Sequence, residues 1–287
     1  MKLIECPRDA MQGFSSFIPT STKIKYFNQL LKVGFDTIDI GSFVSKSQIP
    51  QLADTKEVLN NIDIDSSISK LLVIVGNIRG AVEASKFDQI SYIGFPFSIS
   101  ETFQKKNINA SIQDSLKIID KIQNLCIQKN KKLVTYFSMA FGNPFGDEWS
   151  IYIVAHWAEK LLNDYGVNIL SLSDTIGTSN PNSISWLFSK LIKEFPNVEF
   201  GAHLHSNADT CLDKINAAYL SGCRRFDGSL LGIGGCPMAD DELVGNMPSE
   251  KIIDDLGSEL EALVAQRASL LGELQALQAQ LVQERVN

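Results

Sequence analysis

The 287-residue chain has no C-x-x-C pair, no uninterrupted run of 18 apolar residues and no excess of basic charge. Without a long apolar run, no segment is expected to cross a membrane as a helix. The net charge is -7, from 26 Lys+Arg against 33 Asp+Glu. That balance argues against a chain-wide grip on nucleic acid or an anionic membrane, while permitting a local basic pocket. The five cysteines are Cys6, Cys126, Cys211, Cys223 and Cys236. Odd in number and loosely spaced, they fit the reduced thiols of a cytoplasmic protein rather than a disulfide scaffold. Charges at Lys2, Glu5, Arg8 and Asp9 break up the N-terminal stretch, so no secretory leader is expected there.

What remains is an ordinary globular composition, 44% hydrophobic and 21% charged. The length suits one large α/β barrel or two ordinary domains. Short apolar runs, several β-branched, predict strands at Lys2–Cys6, Thr37–Ile40, Leu71–Val75, Gln89–Phe95, Lys132–Met139, Val167–Leu172, Glu199–His203 and Arg225–Asp227. Between them lie helical patterns at Thr20–Val33, Ser111–Lys129, Glu148–Tyr165, Ser183–Glu194 and Asn207–Ser221. In the first, Ile24, Phe27, Leu30 and Leu31 form the apolar stripe of a core-facing helix. Strands alternating with helices imply a parallel sheet, and eight such units in about 250 residues are the size of a (β/α)8 TIM barrel. A doubly wound open sheet would want a glycine-rich phosphate turn after the first strand. Pro7-Arg8-Asp9 stands there instead, so the barrel is the expected α/β fold.

The end of the chain reads differently. All 20 lysines and all 30 isoleucines lie before residue 254, and Ser258–Asn287 has neither. Leu260, Leu263, Leu270, Leu274, Leu277 and Leu281 fall on a 3–4 heptad seam broken at Arg267. The chain thus divides into a barrel at 1–256 and a coiled-coil-like helix at 257–287. Gly257-Ser258 looks like a joining scar, which makes a grafted, non-native helix the expectation. The alternative is a native helix packing on the barrel or on another subunit. Either way the seam is a candidate for self-association.

Four places carry residue types suited to chemistry. Two of only three histidines, His203 and His205, end a predicted strand. At i and i+2 on a strand they share a face, and so make half a metal site. Arg8 and Asp9 follow the first strand, at the barrel face where active sites lie. There they are either a surface ion pair or a fixed positive charge beside a base or oxygen ligand. Cys236, in the glycine-rich Leu231–Pro237 loop, is either an incidental thiol or an accessible catalytic one. Asp174 is either a helix cap or a site carboxylate, and Ser42 either a turn or a site hydroxyl. Lys105, Lys106 and Asn107 form a solvated turn or a hold on an anionic cofactor tail. His156, mid-helix beside Trp157, reads as structural.

Together these clusters resemble the hydroxymethylglutaryl-CoA lyase family, among the metal-dependent Claisen-type barrel enzymes. The resemblance runs from about Met1 to Glu250. It rests on Pro-Arg-Asp-Ala-Met-Gln at 7–12, Gly-Ser-Phe-Val-Ser at 41–45, Ile-Pro-Gln at 49–51 and Ser-Glu-Thr-Phe-Gln-Lys-Lys-Asn-Ile-Asn at 100–109. It continues in Ser-Leu-Ser-Asp-Thr-Ile-Gly at 171–177, Ala-His-Leu-His at 202–205, Gly-Gly-Cys-Pro at 234–237 and Gly-Asn at 245–246. It implies cleavage of 3-hydroxy-3-methylglutaryl-CoA to acetyl-CoA and acetoacetate. It implies a divalent metal, Mg²⁺ or Mn²⁺, held by Asp9, His203, His205 and Asn246. It implies Arg8 as enolate stabiliser, Asp9 or His203 as proton acceptor and Cys236 as the thiol that returns a proton. Gln12, Ser42 and Asp174 are implied near the acyl group, and Lys105, Lys106 and Asn107 near coenzyme A. The family also suggests a homo-oligomer. Departures are Ala10 and Asn143, where the family commonly has Gly and Cys.

Overall fold

The computed structural model describes residues 1–65, 67–207, 209–235 and 245–257. Cys236 and the heptad segment Ser258–Asn287 lie outside the described residues. The strands are β1 (Lys2–Glu5), β2 (Thr37–Ser42), β3 (Lys70–Ile74), β4 (Ile90–Ser98), β5 (Lys132–Ser138), β6 (Ile169–Ser173), β7 (Glu199–His203), β8 (His205–Ser206), β9 (Arg225–Gly228) and β10 (Gly245–Asn246). Among the described residues, β1 to β7 and β9 close a barrel of eight strands. Parallel pairing of β1 with both β2 and β9 joins its ends. The expected (β/α)8 TIM barrel is the fold. No helix among the described residues is long and apolar enough to cross a membrane.

The period-2 alternation of strand side chains divides the core into two. Leu71 and Val73 of β3, Ile93 and Phe95 of β4 and Leu133 and Phe137 of β5 belong to the large cluster packed under the helices. Their neighbours Leu72, Tyr92, Val134 and Tyr136 form a separate small cluster, which fills the barrel. The helix at Thr20–Val33 lies where the apolar stripe puts it, burying Tyr26, Phe27, Leu30 and Leu31. Gly34 ends it in the left-handed region at φ 88°.

Two predicted helices start later than expected because their first residues act as caps or turns. Ser150 accepts a hydrogen bond from the Ile153 amide, so that helix spans Ile151–Tyr165. The Asn207 carboxamide accepts from the Asp209 and Thr210 amides, and the next helix is Cys211–Leu220. Two features carried no sequence signal: the one-and-a-half-turn helix Pro7–Gln12 and the two-residue antiparallel pair of β8 with β10. Both shape the barrel's C-terminal mouth.

Glu5 ties that mouth to the strands. Fully buried on β1, it accepts a hydrogen bond from the Leu230 amide at 3.0 Å and shares a short one with Ser249 Oγ. These partners flank the segment that runs from the end of β9 to the helix Ser249–Leu256. Burial pushes the Glu5 carboxyl from 4.5 up to about 8, so the folded protein holds it neutral at pH 7. A carboxyl raised on folding contributes stability that is complete below its unfolded value and is lost as pH rises through its folded one. The window is therefore pH 4.5 to about 8. There Glu5 is expected to cost at most about 1.4 kcal/mol of stability per pH unit. Glu5→Gln imitates the neutral acid, so denaturant titrations are expected to show a flatter pH dependence across this window. A slope equal to that of the parent would refute the assignment.

Candidate active site

The short helix Pro7–Gln12 turns the chain back over the barrel mouth as soon as β1 ends. Pro7 starts it without wasting a hydrogen bond, since the first helical amide has no acceptor within the helix. The turn makes Arg8 a hub. Its Nε donates to Asp39 Oδ2 at 2.9 Å, with Nη2 in ion-pair contact with the same oxygen at 2.7 Å, and its Nη1 donates to Asp9 Oδ1 at 2.9 Å and Gln12 Oε1 at 3.0 Å. Three of five guanidinium N–H groups are thus hydrogen-bonded, and those on Nη2, beside Asp39, are left to meet an incoming oxygen.

Asp9 Oδ2 accepts from Asn246 Nδ2 at 2.8 Å. Burial alone would raise the Asp9 carboxyl, but Arg8, His203, His205 and Asn246 together hold it below the ordinary carboxylate range. Asp39 goes the other way: burial pushes it up to about 6 despite Arg8.

The two histidines stand with ring centroids 5.4 Å apart. Each is fixed through Nδ1. His203 Nδ1 lies 3.1 Å from Asp227 Oδ2, a buried carboxylate on β9. His205 Nδ1 lies 3.2 Å from the Thr175 carbonyl, which can only accept. In the neutral rings this puts the proton on Nδ1 and leaves the Nε2 lone pair to the site. Among the described residues, His205 Nε2 is buried and has no hydrogen-bond partner. Ligand atoms of Asp9, His203 and His205 lie within 4.8 Å of one another. A carboxylate converging with two imidazoles, one with an orphaned lone pair, is a donor set that a divalent cation satisfies. Burial would lower the His203 pKa, but Asp227 raises it above the ordinary value. Burial and neighbouring His203 lower that of His205.

These groups face a cavity of about 650 Å³, lined by Arg8, Asp9, Gln12, His203 and His205 at one side and by Lys106 and Asn107 at another. Lys106 Nζ stands 4.5 Å from the centre of the Phe145 ring. Asn246 reaches the cluster from β10 through Asp9. Gly234, at φ 106°, closes over it so tightly that a Cβ there would lie 2.5 Å from Asn246 Nδ2 and 2.9 Å from Ala10 Cα.

Three residues expected at the substrate are placed elsewhere. Ser42 Oγ accepts from the Val44 amide at 3.3 Å and its own amide donates to Thr55, so it shapes the turn after β2. Lys105, Lys106 and Asn107 lie within the helix Glu101–Ile108 rather than in a turn before one, and Lys105 pairs with Glu101 at 3.0 Å on its exposed side. Asp174 turns its carboxylate to the Ser179 amide and hydroxyl and to Lys214, away from the lining. His156 is exposed, its ring centroid 5.2 Å from that of Trp157.

Sequence reasoning passed over Asp39, Asp227 and Lys214. All three are charged residues that are fully buried or nearly so. Asp39 stands between Ile38 and Ile40 in a buried strand, and that interruption was the available signal.

Fold and site together define a (β/α)8 barrel enzyme with a metal-capable Asp-His-His group at its C-terminal mouth. The chain belongs to the HMGL-like family, whose profile matches residues 3–276. It is 35% identical over 247 residues to the hydroxymethylglutaryl-CoA lyase YngG of Bacillus subtilis, covering 86% of this chain and 81% of that protein. It is 31% identical to the 3-hydroxy-3-isohexenylglutaryl-CoA/hydroxy-methylglutaryl-CoA lyase of Pseudomonas aeruginosa, over 88% of this chain and 83% of that one. The solved HMG-CoA lyase of Acinetobacter baumannii, in complex with coenzyme A and 3-methylmalate, superposes with a TM-score of 0.82 at 28% identity, covering 95% and 91% of the two chains.

Proposed function

We propose that this carbon–carbon lyase cleaves 3-hydroxy-3-methylglutaryl-CoA to acetyl-CoA and acetoacetate, with a divalent cation, Mg²⁺ or Mn²⁺, held by Asp9, His203, His205 and Asn246. The observation that carries the reading is the buried, unpartnered His205 Nε2 beside Asp9 and His203 at the cavity wall. When bound, the cation supplies a Lewis acid that lowers the pKa of the substrate hydroxyl.

The chain's own residues do the rest. One Nε2 lone pair cannot hold a ligand and a proton together, so His203 as ligand leaves the hydroxyl proton to Asp9. A carboxylate held low by Arg8 suits a hydroxyl whose acidity has been raised. As the C2–C3 bond breaks, its electron pair passes to the thioester and C3 becomes the ketone of acetoacetate. The developing enolate oxygen meets the fixed charge of Arg8 and its remaining N–H. Cys236 delivers a proton to C2, completing acetyl-CoA, and the proton taken by Asp9 replaces it through solvent. Gly234, two residues earlier, lies against the Asp9 carbonyl. Gln12 holds Arg8 in line. Lys106 and Asn107 on the cavity wall take the coenzyme A arm, and the reduced cysteines support a cytoplasmic site of action.

Incubation with the thioester and Mn²⁺ is expected to release acetoacetate and acetyl-CoA in equal amounts, and Cys236→Ala is expected to slow it. A folded, metal-loaded protein that releases neither product would overturn the assignment. The heptad leucines at 260–281 support self-association through the tail. Truncation after Gly257 is expected to lower the sedimentation mass, and an unchanged mass would remove the tail from assembly.

A further inference from the structure

We propose that Lys214 is a positioning residue for the site, holding His205 and the Asp174–Ser179 loop in the one arrangement that presents the His205 Nε2 lone pair to a cation. The inference rests on the metal reading above and adds a residue outside it. Lys214 lies on the helix Cys211–Leu220, beneath the cavity wall, and is 3% exposed. An ammonium group has three donors, and here all three are used. They reach the His205 carbonyl at 2.7 Å, Asp174 Oδ2 at 3.0 Å and the Gly177 carbonyl at 3.3 Å.

Those acceptors lie on two separate segments. One carries His205. The other carries Thr175, whose carbonyl receives the His205 Nδ1 proton, and Asp174, whose amide donates to the His203 carbonyl at 3.0 Å. Lys214 therefore locks together the backbone that bears His205 and the carbonyl that orients its ring. Without that lock, the Thr175 carbonyl and the imidazole could drift apart, and the ring would be free to turn about χ2 or to change tautomer. The charge is balanced locally by Asp174, itself held by Ser179. So the ammonium acts through geometry rather than by adding net charge beside the cation. It also accounts for Asp174 turning away from the cavity: its carboxylate is the anchor for this lysine.

Removing Lys214 alone would strand the Asp174 charge in the interior, so the test uses a neutralised pair. In Asp174→Asn/Lys214→Met, metal-free protein is titrated with Mn²⁺ by electron paramagnetic resonance, alongside the parent and His205→Ala, with melting temperature recorded for each. Partners that orient a ligand typically affect metal affinity by 10–100-fold. The expected result is Mn²⁺ binding weaker by about 10–100-fold, with kcat lowered when Mn²⁺ is limiting and partly restored at saturation. A purely structural lysine would alter melting and leave the affinity of the folded fraction alone.

Mn²⁺ affinity within twofold of the parent would overturn the proposal. Should the double variant fail to fold, Lys214→Gln decides. Its side chain is too short and has too few donors to bridge the three acceptors, so the same loss is expected, and parental affinity would be fatal. If the parent itself binds Mn²⁺ no better than His205→Ala, the metal reading fails instead, and the two failures are thereby distinguished.

Discussion

Replacing Arg8 with Gln is expected to lower kcat by at least about 10²–10³-fold, the loss typical when one preorganised donor to a developing oxyanion is removed. The substitution does three things at once. It removes the N–H and charge that face the enolate. It releases Asp39, which burial already pushes up to about 6 and whose carboxylate takes its hydrogen bond from Arg8. It also frees Asp9 from the cation that holds it low. Asp9 in the variant should therefore bind a proton at higher pH, and the acid limb of the kcat/KM profile should move upward. Steady-state kinetics across pH measure both effects. Loss of kcat with KM for the thioester little changed would mark an interaction made in the transition state. Parental kcat would remove Arg8 from the chemistry.

Replacing His205 with Ala is expected to weaken divalent-cation binding by more than about 100-fold, beyond the range seen when only an orienting partner is lost. The reason is specific to this nitrogen. His205 Nε2 is buried with no hydrogen-bond partner among the described residues, whereas the Asp9 oxygens already accept from Arg8 and Asn246. An orphaned buried acceptor is costly unless something outside the protein pairs with it. Isothermal titration of metal-free protein with Mn²⁺ reads the loss directly. Activity should fall in parallel and recover only in part at high Mn²⁺. Cation affinity equal to the parent's would show that His205 is not a ligand.

The barrel was legible in the sequence because alternation and length act locally. Leu71–Val75 and Lys132–Met139 are too short for helices, and Thr20–Val33 repeats its apolar residues with the period of one. Arg8, Asp9, His203 and His205 were legible for a related reason. Each follows or ends a strand, and in this fold strand ends converge on one mouth.

What could not be read was which side chains the mouth points inward. Ser42 and Lys105 stand in the right segments yet serve a turn and a surface ion pair. The partners that set the histidine rings were hidden because they come from distant segments. Asp227 meets His203 across 24 residues, and the Thr175 carbonyl meets His205 across 30. The β8–β10 pair escaped because two residues carry no period. Yet it is the contact that brings Asn246 opposite His205 and within reach of Asp9.

One cation site and one bond cleavage are tested together by a single titration. Protein stripped of metal by EDTA is given hydroxymethylglutaryl-CoA and increasing Mn²⁺, and acetoacetate is followed. No release is expected at zero Mn²⁺, and release should rise to saturation at one equivalent per chain, with acetyl-CoA formed in step. Full activity in the stripped protein, or none in the saturated one, would contradict this expectation.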